Sequence, residues 1–118
     1  MKLYVPKSYT EATNEQLERV CNGCGTKGFG GLFVPDTMWG LNITECCNIH
    51  DWMYEKGETD KEKQEADRVF LNNLLRTIEA EEGWKAWLLA GVRRRRALKY
   101  YEAVRVFGGP AFWNGKNK

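Results

Sequence analysis

Three stretches of the chain repeat apolar residues with a helical period. In the first, Cys46, Ile49, His50 and Met53 fall on one face. In the second, Asp67, Leu71, Leu74 and Ile78 follow at spacings of four, three and four. The third runs from near Trp84 to Phe107, where Gly108-Gly109-Pro110 stops it. Thr44 reads as the N-cap of the first helix, which runs to about Lys56 and ends at Gly57. Asp60 reads as the cap of the second, which runs to about Glu79 or Ala80. Ahead of them, Thr13 or Asn14 caps a short helix to about Val20, with Leu17 and Val20 turned inward. Residues 1–12 read as an extended or irregular arm, and 22–43 as a long loop holding six glycines, with Leu32-Phe33-Val34 as a candidate short strand. This pattern predicts a single all-α domain spanning 1–118.

Two ionisable residues sit where apolar ones are expected. His50, the only histidine, lies among apolar side chains on its helix, and Asp67 lies on the inward stripe of the next, between Lys63 and Leu71. A buried carboxylate needs a partner, because desolvating an unpaired charge is expensive, and a histidine on a facing helix supplies one. The pair can be a structural hydrogen bond or a catalytic one. Asp51 follows His50 and points about 100° away around the helix, where it can bind a hard cation together with backbone carbonyls. Tyr54, four residues after His50 and three after Asp51, can reach the same site. The glycine loop favours a functional reading, since glycines let backbone groups turn toward a ligand.

Composition narrows the class. The chain has 118 residues, is 42% hydrophobic and 29% charged, and has a mean hydropathy of -0.60. That is one globular domain, without a run long enough to span a membrane. Net charge is only +2, yet residues 83–118 carry nine bases against Glu102, while residues 1–82 carry nine bases against 15 acids. Such a split suggests a basic face for an anionic partner, nucleic acid or lipid. Cys21, Cys24, Cys46 and Cys47 permit two disulfides in any of three connectivities. The less favoured alternative is a zinc site, since adjacent ligands are uncommon in structural zinc sites. The first ten residues lack the apolar stretch of a signal peptide, so the redox compartment stays open.

The string Cys46-Cys47-Asn48-Ile49-His50-Asp51-Trp52-Met53-Tyr54 resembles the active-site helix of the secreted phospholipase A2 superfamily, C-C-x-x-H-D-x-x-Y. Asn22-Gly23-Cys24-Gly25 and the glycines after it resemble that family's calcium loop, and Ala66-Asp67-Arg68-x-Phe70 its second active-site helix. The likeness is to the short, divergent microbial and group XII-like members. It implies a small helical phospholipase A2-like fold with a glycine-rich calcium loop and two core active-site helices. It implies calcium-dependent hydrolysis of the sn-2 ester of glycerophospholipids, with His50 as general base, Asp67 fixing its tautomer and Tyr54 as a hydrogen-bond partner. Ca2+ would be held by Asp51 and by the carbonyls of Gly23, Gly25 and Lys27. The resemblance also implies Cys24–Cys47 and Cys21–Cys46 bridges, a secreted or extracytoplasmic location, and a phospholipid membrane surface, anionic in view of the basic segment, as partner. The chain departs from the family in having only four cysteines, a Cys21-x-x-Cys24 spacing, and a step of only 17 positions from His50 to Asp67.

Two rivals fit part of the pattern. A catalytically silent domain of the same fold would bind membranes or a protein, but gives the His50, Asp51, Tyr54 and Asp67 set no use. A zinc-stabilised module binding nucleic acid accounts for the cysteines and arginines and leaves the same set without roles. Arg93–Arg96 span more than a helical turn and read as a solvated basic surface or as attraction to anionic headgroups, about 1 kcal/mol per residue. Trp84, Trp87, Leu88 and Val92 are expected in the core, because a fourth helix must bury something. Trp113 is the expected interfacial residue.

Overall fold

The computed structural model describes residues 3–21 and 35–116. Six helices and one hairpin lie within them, in the order α1 (Lys7–Thr10), α2 (Asn14–Val20), β1 (Thr37–Met38), β2 (Leu41–Asn42), α3 (Thr44–Lys56), α4 (Asp60–Ala80), α5 (Trp84–Phe107) and α6 (Gly109–Trp113). The chain is mostly helical, as its periodicity predicts. The candidate strand at Leu32-Phe33-Val34 lies outside the described residues.

Helix α4 is the central element, packed against α3 on one side and α5 on the other. On its inward stripe Phe70, Leu74 and Ile78 share one core cluster with Cys46 of α3 and Ala97, Tyr100 and Val104 of α5, while Ala66 clusters with Tyr54 and Phe112. The helix starts differ from expectation by one residue. Thr59, not Asp60, caps α4, its hydroxyl accepting from the Glu62 N–H at 3.1 Å. Thr44 is the first residue of α3 rather than its cap, and its N–H donates to the Asn42 side chain at 2.9 Å. At α2 the expected cap holds: Thr13 and Gln16 exchange side-chain and backbone hydrogen bonds. Leu17 and Val20 end only half-buried.

The N-terminal arm carries the helical turn α1 and is tied down. Asn73, fully buried on α4, exchanges two hydrogen bonds with the backbone of Tyr4. The Trp52 indole donates to Ser8 at 3.0 Å.

The hairpin β1–β2 falls in the stretch expected to be loop. Trp39 (φ 51°) and Gly40 (φ 80°) form its turn, both left-handed as a tight two-residue turn requires. Arg93 of α5, only 5% exposed, reaches across and donates to the Trp39 carbonyl from Nε at 3.3 Å and from Nη2 at 2.8 Å. The first arginine of the basic run is therefore a buried clamp, not part of the solvated surface. Met38, Leu41 and Ile43 beside the turn are buried in the core.

Between α5 and α6 the backbone at Gly108 presses against the Tyr54 hydroxyl and the Val104 carbonyl, and a Cβ there would overlap both. Its φ of -79° suits any residue, so space alone requires the glycine. Gly108→Ala is expected to destabilise the protein by about 1–3 kcal/mol, the usual cost of overpacking. Urea denaturation measures it, and an unchanged midpoint would show that Tyr54 yields without loss.

Candidate active site

Helices α3 and α4 bring His50 and Asp67 together. His50 Nε2 lies 2.8 Å from Asp67 Oδ1, and each residue is 1% exposed. One turn after His50, the Tyr54 hydroxyl donates to the same Oδ1 at 2.7 Å. One turn before Asp67, the Lys63 ammonium donates to Oδ2 at 2.9 Å. It also donates to the carbonyls of Val104 and Arg105 at the end of α5, at 3.2 and 3.4 Å. Both oxygens of the buried carboxylate are thus hydrogen-bonded, as a desolvated charge requires. The His50 ring packs against both Tyr54 and Phe70, with centroids 4.1 and 4.7 Å away.

The electrostatics follow from this cage. Burial alone would raise the Asp67 carboxyl, but hydrogen bonds from His50, Lys63 and Tyr54 overcome it and hold the group below the usual carboxylate range. Burial pushes the His50 imidazole below its ordinary value, against the pull of Asp67. Lys63 reinforces burial: it shares the Asp67 carboxylate, so a protonated His50 would have only part of a counterion in the interior. Burial and the Asp67 carboxylate push the Tyr54 hydroxyl up, so it remains a donor. A neutral imidazole whose Nε2–H donates to Asp67 keeps its lone pair on Nδ1, a buried atom that can accept a proton.

Sequence periodicity places Lys63 on the Asp67 stripe but assigns it no function. The signal was present, since a lysine four residues before a buried aspartate on one helix face can pair with it. A polar recess of about 600 Å³ reaches Lys63 and Asp67 from the side of Arg68, Tyr101 and Arg105. His50 does not line it.

Asp51 is 7% exposed, and its charge acts on Cys21 and Tyr54. The Tyr54 hydroxyl itself turns to Asp67 rather than joining an Asp51 site. Asp51 is a hard oxygen donor and suits a calcium ion. Among the described residues no group of three His, Cys, Asp or Glu side chains gathers around a common point. The other expected ligands, Gly23, Gly25 and Lys27, lie outside the described residues.

One of the two expected bridges is absent. Cys21 and Cys46 are free thiols, so the Cys21–Cys46 bridge is not formed. The two sulfurs face different partners: Cys21 Sγ meets the Asn48 carbonyl at 3.3 Å, and Cys46 Sγ meets the Thr77 hydroxyl of α4 at 3.4 Å. Burial, helped by Asp51 and Glu45, pushes the Cys21 thiol up to about 11. Cys47 is disulfide-bonded, and Cys24, its expected partner, lies outside the described residues.

The chain matches no family model, no curated protein and no solved structure.

Proposed function

We propose that the chain is a calcium-dependent, phospholipase A2-like hydrolase that cleaves the sn-2 ester of glycerophospholipids. The observation that carries this reading is the buried His50–Asp67 pair on facing helices, with Asp51 next in sequence to the histidine. The sequence resemblance supplies the reaction class. The finer fold, a small phospholipase A2-like domain with a glycine-rich calcium loop, belongs to the same proposal.

In this scheme His50 Nδ1 takes a proton from water as the water attacks the ester carbonyl. Asp67 holds the Nε2–H tautomer and stabilises the imidazolium that forms. Tyr54 and Lys63 hold Asp67 in place, Tyr54 donating to Oδ1 and Lys63 to Oδ2, beside the hydrogen bond with His50. Asp51, with the carbonyls of Gly23, Gly25 and Lys27, would hold calcium, which when bound supplies polarisation of the ester carbonyl. An anionic phospholipid surface is the partner, and the disulfide at Cys47 supports an extracytoplasmic place for the protein.

Asp51→Asn is expected to weaken calcium binding and hydrolysis together, because it removes the only acidic ligand from a site otherwise built of neutral carbonyls. Calorimetric titration of both proteins with calcium chloride tests this. Equal affinities would place the cation elsewhere or nowhere.

A further inference from the structure

The outer face of α5 inverts the usual arrangement of a surface helix. Its buried residues are Arg93, Ala97, Tyr100 and Val104, at spacings of four, three and four. The opposite stripe carries Trp84, Trp87, Leu88 and Leu98, which are 70%, 81%, 60% and 51% exposed. Of the nine residues from Trp84 to Val92, only Lys85 is polar, and none is buried. These tryptophans are therefore not the core residues that the sequence suggests. Trp113, the expected interfacial residue, is half-buried and packs edge-on against Phe112, with centroids 4.9 Å apart.

Scattered exposed apolar residues need no explanation, but four on one helical stripe mark an interaction surface. The charge beside them narrows the partner. Arg94, Arg95 and Lys99 are exposed along the same outer side, and no acid occurs from Gly83 to Tyr101. In an isologous contact with a second copy the same patch would meet itself, bringing these cations together with only Glu102 on the face, a carboxylate already paired with Arg105 at 2.9 Å, to set against them. Tryptophan and leucine interleaved with arginine and lysine suit the boundary of an anionic lipid layer, where indoles settle at headgroup level and cations meet phosphate. From Trp84 to Lys99 the helix is about 24 Å long, enough to lie along such a surface.

We propose that the outward face of α5, Trp84, Trp87, Leu88 and Leu98 flanked by Arg94, Arg95 and Lys99, docks the protein flat onto anionic phospholipid. The choice of phospholipid rests on the proposed function, whereas the surface itself is defined by exposure and charge. Arg93 takes no part, because it is committed to the hairpin.

The test uses the full chain carrying His50→Gln, so that lipid is not consumed, and vesicles of phosphatidylcholine with and without phosphatidylglycerol. Binding is expected only with phosphatidylglycerol, accompanied by a blue shift of tryptophan emission. Trp84→Ser with Trp87→Ser should weaken it by about tenfold or more, while Trp84→Phe with Trp87→Phe keeps most of it. Circular dichroism should be unchanged in both, since neither side chain is buried. Undiminished vesicle binding in the serine variant overturns the proposal, as does a lack of binding by the parent protein. A dimer that the serine variant converts to monomer, or tighter binding to single-stranded oligonucleotide than to vesicles, overturns it in favour of that occupant. Hydrolysis is judged separately, by wild-type protein acting on a dispersed short-chain phospholipid, so either proposal can fail while the other stands.

Discussion

Replacing His50 by glutamine is expected to lower ester hydrolysis by about 10²–10⁴-fold, the usual contribution of a positioned general base. Glutamine is close in size to histidine and can still donate one hydrogen bond to Asp67 Oδ1, which His50 Nε2 approaches at 2.8 Å. It has no lone pair able to accept a proton from water near neutral pH. The fold should therefore survive while the rate falls. A structural pair would behave in the opposite way, losing stability and keeping any activity. Initial rates of fatty-acid release, with thermal melts on the same samples, separate the two. Activity within about tenfold of wild type lies below the effect of removing a general base and would sink the assignment.

Asp67→Ala is expected to destabilise the protein by about 3–5 kcal/mol, the range found when one partner of a buried ion pair is removed. The cost arises because Lys63, His50 and Tyr54 all direct polar hydrogens at this carboxylate. The Lys63 ammonium would keep only the Val104 and Arg105 carbonyls. Adding Lys63→Met should recover part of the loss, since an apolar pair leaves no charge without a counterion. Urea denaturation of the two single variants and the double variant gives the coupling. A loss below about 1 kcal/mol for Asp67→Ala, typical of an exposed pair, would mean that water enters the site and relieves Lys63.

The core of the site was legible because helical periodicity is strict. Once His50 and Asp67 are placed on the inward stripes of consecutive helices, a meeting between them follows from ordinary helix packing. The α4 cap slipped by one residue because Thr59 and Asp60 are chemically equivalent candidates for the same backbone donors, whereas at α3 the cap position falls on Ile43 and Asn42 accepts from the first helical N–H. The hairpin was illegible because two-residue strands show no alternation, and its turn uses Trp39-Gly40 instead of an asparagine–glycine pair.

Helix α5 misled for a different reason. Trp84, Trp87 and Leu88 are placed outward, and the side that faces the core takes Arg93 instead. Hydrophobicity ranks those residues the other way round. The cue lay in the spacing, because Ala97, Tyr100 and Val104 define an inward stripe that Arg93 extends and the tryptophans do not. The neighbouring cysteines carried a similar ambiguity. Residues 46 and 47 project about 100° apart, so their sulfurs need not share a bridging direction, and Cys46 turns to α4.

The most direct measurement of the central claim is product analysis on a phosphatidylglycerol with different fatty acids at the sn-1 and sn-2 positions. Wild-type protein with calcium should release the sn-2 fatty acid and leave the matching lysolipid, and a calcium chelator should stop the reaction. No fatty acid, equal release with chelator present, or release from the sn-1 position would contradict the account.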